Sequence, residues 1–222
     1  MKTLVFCTAF SNTQERWQRR FGKWLAGIEE SGIDYDQILM PDDGSAVFPD
    51  CFDYDIIYDP QQQSTKPVTI LSFTPNLGRP QNLNYPGWYR SFGGAVAYAK
   101  HHGFDKIVHI ESDCFVYRTR LAESINAQTD RWRALWCPRY HFPETAIQVI
   151  AGQEAIDRAH GQLSQDYSRW VNQCAEHWMA IDWVDRTFIG DRYGEVLDMV
   201  PVEADYATQI DESWATARLK YQ

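Results

Sequence analysis

The amino-terminal segment constrains the fold more than any other part of the chain. Lys2 to Phe10 is a run of β-forming apolar residues, and it passes within two polar residues into a helix-period pattern. Asn12 stands where an N-cap belongs, with Glu15 at the capping-box position. Trp17, Phe21, Trp24, Leu25 and Ile28 then fall on one helical face that Gly32 closes. A buried strand followed at once by an amphipathic helix is the opening of a parallel α/β sheet. Further strands are expected at Tyr35 to Met40, Tyr54 to Tyr58 and Val68 to Phe73, and a helix from Pro86 to His102 with Trp88, Phe92, Val96 and Ala99 on one side. Between them, Thr74 to Pro86 has no apolar period, and a connection of that length in a compact domain usually serves function.

The second half gives shorter signals. They are a helix at Arg120 to Ala127, strands at Ala134 to Cys137 and Thr145 to Ile150, helical stretches near Glu154 to His160 and Ser168 to Ala180, and a strand at Val196 to Val200. The expected architecture is an α/β fold, with a mostly parallel mixed sheet flanked by helices and an α+β carboxyl-terminal part. Its 222 residues read as one domain, made of a first half at 1–117 and a second at 118–222.

Charge narrows the partners. Lys and Arg number 21 against 30 Asp and Glu, a net 21 − 30 = −9, which argues against duplex nucleic acid or anionic lipid. The five cysteines form no C-x-x-C pair, and no segment has the apolar length of a membrane span. A cytoplasmic protein acting on small molecules or proteins is the expectation.

The most informative strand is Lys106 to Ile110, which runs directly into Glu111-Ser112-Asp113. In extended chain, residues i and i+2 face the same way, so both carboxylates would aim past the strand's carboxyl end, where open α/β sheets bind ligands. Two hard oxygen donors suit Mg²⁺ or Mn²⁺, and such ions are completed by phosphate and water. A metal-bound diphosphate is therefore expected at Glu111 and Asp113. An opposing cation would neutralise such a diphosphate, and Arg79 or Arg90 can supply it, Arg90 from the first turn of its helix.

With Glu111-Ser112-Asp113 following a buried strand, the chain resembles the GT-A class of nucleotide-sugar-dependent glycosyltransferases. Leu39 to Ser45 adds a likeness to the D-D-G-S turn of one large inverting family, although Glu replaces the first acid of the acid-x-acid motif and Pro41 interrupts the apolar approach. The resemblance implies transfer of a sugar from a nucleotide-diphosphate sugar donor to a saccharide or other hydroxyl acceptor, assisted by Mn²⁺ or Mg²⁺, with 1–117 as the nucleotide-binding half and 118–222 as the acceptor-side half. It further implies that Thr8, Ala9 and Phe10 hold the nucleobase, that Asp42 and Asp43 contact base or ribose, and that Glu111 and Asp113 bind the metal. In inverting relatives the base lies well downstream. Glu176, Asp182, Asp185 and Asp191 occupy that stretch, and Asp185 is the first candidate and Asp182 the second, flanking Trp183.

Gly152, between a strand and a helix, would let donor or acceptor approach the backbone. Trp88, Tyr89, Tyr140 and Trp183 are candidate sugar-stacking faces. Competing readings are a non-catalytic carbohydrate-binding or scaffold protein and a sugar-phosphate nucleotidyltransferase. Phe10 to Gln14 lacks the Gly-rich basic loop that the second resembles, and no G-x-S-x-G elbow marks a hydrolase.

Overall fold

The computed structural model describes residues 1–195 and 199–210. Eight strands form one twisted sheet in the order β3-β4-β2-β1-β5-β8-β7-β9. They are β1 (Thr3–Phe6), β2 (Gln37–Asp42), β3 (Asp55–Ile57), β4 (Val68–Ser72), β5 (Lys106–Ile110), β7 (Trp132–Cys137), β8 (Phe142–Ala151) and β9 (Trp183–Asp185). Pairing is parallel from β3 through β5 and between β7 and β9, while β8 is antiparallel to both β5 and β7. Hence β8 alone runs against the rest. A small second sheet joins β6 (Phe115–Val116), β10 (Gly190–Asp191) and β11 (Tyr206–Ala207).

Alternation along the strands sends side chains to two apolar layers. Leu4 and Phe6 point to one layer with Phe92, Val96, Ala155 and Ile156, from helices α2 (Pro86–His101) and α4 (Gln153–Leu163). Val5 and Cys7 point to the other, with residues of α1 and of α3 (Thr119–Ala127). Helix α1 is interrupted: α-helical over Gln14–Arg16, π-helical over Trp17–Gly22 and α-helical again over Lys23–Ser31. Its Trp17, Phe21, Trp24, Leu25 and Ile28 are buried as their spacing requires, and the cap is Thr13 rather than Asn12.

Several expected boundaries move. Strand β2 continues through Pro41 because the missing N–H falls on the β1 side, beyond the last paired residues Phe6 and Leu39. The Pro41 carbonyl on that side accepts from Ala9 N at 2.9 Å. The long helix expected at 168–180 is instead a 3₁₀ turn, Tyr167–Arg169, and a four-residue helix α5, Ala175–Trp178. The strand expected at Val196 to Val200 falls largely outside the described residues, and Met199 and Val200 lie in no strand. No described helix is long and apolar enough to cross a membrane.

Candidate active site

The carboxyl ends of β1, β2 and β5 converge on one edge of the sheet. Because β8 runs the other way, its start lies at that same edge, and Glu111 N donates to the Ala146 carbonyl at 2.8 Å. Two adjoining clefts open there. The first, about 460 Å³, is bordered by Thr8 to Phe10, Arg16, Arg20, Asp43 and Glu111. The second, about 340 Å³, is bordered by Asp113, Glu144, Thr145, Glu176 and Arg192. Arg79, Tyr85, Trp88 and Glu111 belong to both walls.

Glu111 is the junction, and its carboxylate is held from three directions. Oε1 accepts from Trp88 Nε1 at 2.6 Å and lies 3.0 Å from His109 Nε2, while Thr8 Oγ1 donates to Oε2 at 2.9 Å. His109 is buried two residues earlier on β5 and stacks on Phe6 at 4.6 Å. Burial alone would raise the Glu111 pKa; the electrostatic influence of His109 beside it and the hydrogen bonds from His109, Trp88 and Thr8 reverse the shift and hold the carboxyl below its usual range.

Glu111 and Asp113 do not share a direction, contrary to the extended-chain expectation. The chain turns immediately after β5, with Cys114 N bonded to the Glu111 carbonyl at 2.8 Å, and this turn sends Asp113 toward helix α1. There Arg20 donates from Nη2 to Asp113 Oδ2 at 3.0 Å and from Nε to Ser112 Oγ at 2.6 Å. Burial raises the Asp113 pKa despite Arg20, and the Glu111 charge adds to the rise.

This donor set does not fit a resident Mn²⁺ or Mg²⁺. The Glu111 oxygens already accept from Trp88 and Thr8, and the Asp113 carboxylate, turned toward α1, faces the Arg20 guanidinium. The two acids expected to share a metal both border the second cleft but are engaged separately, Glu111 by Trp88, His109 and Thr8 and Asp113 by Arg20.

The other expected residues separate clearly. Thr8, Ala9, Phe10 and Asp43 border the first cleft. Asp43 also fastens the 74–85 connection, accepting from Gly78 N at 2.7 Å and Leu77 N at 3.2 Å. Arg90 pairs with that carboxylate and donates to the Pro75 carbonyl at 2.7 Å. It therefore braces the loop rather than bordering either cleft, and Arg79 is the cation of the two that reaches the site. Asp42 turns inward, fully buried, to accept from Ser45 N at 3.0 Å and from Ser45 Oγ, and burial raises its pKa.

Three more positions lie away from the site. Gly152 follows the last residue of β8, and its N–H bonds the Asp105 carbonyl at 2.9 Å, which places it beside the start of β5 at the opposite edge of the sheet. Asp182 accepts from Trp132 N at 2.8 Å and from Arg158, at the start of β7. Asp185 is buried on the edge strand β9, where it accepts from Thr187 N at 2.9 Å and faces Arg133 at 3.4 Å. Both acids are engaged at the sheet edge, and neither borders either of the two clefts. Of the four downstream acids, Glu176 alone borders a cleft. Trp88 borders both clefts; Trp183 stands 41% exposed on the edge strand.

The residues that the sequence did not single out are Arg16, Arg20, Asn76, Glu144 and Arg192. Glu144 is wholly buried and accepts from Arg192 Nε at 2.8 Å, and the same guanidinium donates to Glu176 Oε1 at 2.7 Å. Glu176 Oε1 also accepts from Thr145 Oγ1 at 3.2 Å.

One packing detail is decisive for the first cleft. Gly87, at the start of α2, lies so close to Asp43 that a Cβ there would collide with its carboxylate. Gly87→Ala is expected to cost about 1–3 kcal/mol through overpacking and to loosen the 76–78 loop. Calorimetric unfolding checks it, and a variant as stable as the parent would show that Asp43 can move freely.

No protein-family model matches the chain, and no curated protein matches it. Solved structures do. An active-site mutant of LgtC superimposes with a TM-score of 0.52 at 11% identity, covering 93% of this chain and 86% of that one. A glycosyltransferase involved in glycosylation of the major capsid of PBCV-1 gives 0.52 at 8% identity, covering 99% of this chain and 100% of that one. LgtC, described as a galactosyltransferase, in complex with donor and acceptor sugar analogs gives 0.48 at 12% identity, over 93% and 86% of the two chains. At such identities the likeness is one of architecture, and the fold is the GT-A-like α/β arrangement.

Proposed function

We propose that the protein is a glycosyltransferase that takes a nucleoside-diphosphate sugar in the first cleft and a hydroxyl acceptor in the second. The observation that carries this reading is the pair of clefts meeting at Glu111 and Trp88, at the carboxyl edge of the parallel strands. Nucleotide belongs against Thr8, Ala9 and Phe10, as the sequence resemblance implied, and the sugar at the junction.

The acceptor side supplies a carboxylate in Glu176, oriented by Arg192 and Thr145. In a single displacement the bond from the anomeric carbon to the diphosphate oxygen breaks, the acceptor oxygen bonds that carbon, and the acceptor proton passes to Glu176. Trp88, bonded through its indole N–H to Glu111, offers a flat apolar face at the junction against which a sugar ring can pack.

A panel of UDP, GDP, CDP and ADP sugars tests this directly. One donor is expected to raise the melting temperature, since a ligand at a hundredfold its Kd stabilises the native state by about 2.7 kcal/mol. Saccharide acceptors should then release the free nucleoside diphosphate. Stabilisation by plain saccharides, with no response to any nucleotide, would turn the reading toward a carbohydrate-binding protein.

A further inference from the structure

We infer that the cleft receives the diphosphate through guanidinium groups, Arg20 standing where the resemblance places a divalent cation. The inference deepens the glycosyltransferase reading and rests on it.

Arg20 lies on the acid-x-acid turn itself, bonded to Ser112 Oγ at 2.6 Å and Asp113 Oδ2 at 3.0 Å. Two contacts at different nitrogens fix the plane of the guanidinium as well as its position. Its backbone is equally fixed, because the π-helical turn carrying it buries Trp17 and Phe21 on either side, and Trp17 Nε1 donates to the Val47 carbonyl at 2.8 Å. Insertions of this kind in α-helices recur at functional sites, since they re-aim a side chain without ending the helix.

Charge around the first cleft agrees. Arg16, Arg20 and Arg79 border it against the two carboxylates of Asp43 and Glu111. Asp43 is already paired with Arg90, and Glu111 faces His109. With Asp113 counted against Arg20, four guanidinium groups, those of Arg16, Arg20, Arg79 and Arg90, face the three carboxylates of Asp43, Glu111 and Asp113, in a chain whose net charge is −9. In a chain with this net negative charge, three arginines around one cleft, two from α1 and one from the 74–85 connection, mark where an anion would be drawn.

Guanidinium groups suit the task. A planar fork binds phosphate oxygens in pairs, keeps its charge at any working pH, and stabilises the charge that develops on a departing diphosphate. In this arrangement Asp113 and Ser112 are positioning residues that act through Arg20.

Calorimetric titration of the whole chain with inorganic pyrophosphate and with UDP, GDP, CDP and ADP, in EDTA and again in Mn²⁺, tests the inference. Pyrophosphate and one nucleotide are expected to bind in EDTA, with affinity within about threefold of that in Mn²⁺. Arg20→Ala should weaken both about ten- to a hundredfold, the loss of one to two charge-assisted contacts. Arg20→Gln, which keeps the bulk and a donor, guards against a folding defect and should lie between. Asp113→Asn, which removes a carboxylate a metal would need but keeps an acceptor for Arg20, should weaken pyrophosphate binding in EDTA by less than Arg20→Ala does. Binding that requires Mn²⁺ and disappears in Asp113→Asn would overturn the inference while leaving the glycosyltransferase reading intact. Arg20-dependent pyrophosphate binding in EDTA with no nucleotide bound would do the reverse. No binding under either condition overturns both.

Discussion

Glu176→Gln is expected to lower kcat by about 10²–10⁴-fold, the usual contribution of a positioned general base, while donor affinity stays within about twofold. The split follows from where the residue stands. Glu176 borders the second cleft and not the first, so a nucleotide sugar seated against Thr8 to Phe10 does not meet it. Glutamine preserves the shape and leaves an oxygen for the Arg192 and Thr145 contacts, and Arg192 keeps its pair with Glu144. Folding should therefore be unaffected, and the missing element is the proton acceptor alone. Steady-state transfer kinetics with a thermal-shift measure of donor affinity check both halves, and the anomer of the product should be inverted by nuclear magnetic resonance. A turnover within threefold of the parent, or a retained anomer, would remove Glu176 from the mechanism.

Asp182 and Asp185 show why a base is hard to find from sequence. Both flank Trp183 in the stretch where a downstream base is expected, yet β9 is the outermost strand of the sheet; Asp182, just before it, meets Arg158, and Asp185, at its end, meets Thr187 and Arg133. Distance along the chain from the acid-x-acid motif says nothing about which edge of the sheet a strand joins. Glu176 was in the same stretch, and only the fold of 167–178 across the start of β8 sets it at a cleft.

Gly152 illustrates the same gap through strand direction. A glycine between strand and helix marks a ligand edge when the strand is parallel to its neighbours. Reversal of β8 exchanges the two ends, so its last residue joins the start of β5 and its first residues, Glu144 to Ala146, join the site instead. Periodicity finds strands without giving their direction.

What the sequence did carry was local. The β1–α1 unit, the buried strand β5 and the long connection before α2 are all written in apolar spacing and turn residues, and they place Thr8 to Phe10, Glu111 and Trp88 at the site. Arg20 was visible only as a charge beside the apolar stripe of α1. The π-helical turn that brings it to Ser112 and Asp113 leaves no spacing signal, because its two buried residues, Trp17 and Phe21, stand four apart as an ordinary α-helical pattern has them. Extended-chain geometry misplaced Asp113 for a related reason: the strand ends one residue before the motif, and the turn that follows is closed by a backbone hydrogen bond rather than by residue type.

Removing Arg192 should be the most damaging single change outside the apolar core. Its guanidinium, only 14% exposed, stands between Glu144, which is fully buried, and Glu176. Arg192→Ala leaves Glu144 in the interior without its counter-charge, and breaking such a pair from one side costs about 3–5 kcal/mol. Burial already pushes the Glu144 pKa above its ordinary value, with Arg192 the chief opposing influence. In the variant that opposition is gone, so Glu144 takes up a proton in the folded state at a pH where the unfolded chain does not. A carboxyl raised on folding binds more protons in the native state, so stability falls as pH rises through its window. The deficit of Arg192→Ala should accordingly be larger at pH 8 than at pH 5. Adding Glu144→Gln should restore most of the loss at pH 8 by removing the charge, although Glu176 remains without its partner. Denaturant unfolding of the parent, both single variants and the double variant at the two pH values closes the cycle. A pH-independent deficit, or no recovery in the double variant, would show that Arg192 acts through its packing against Phe142 at 4.9 Å rather than through charge.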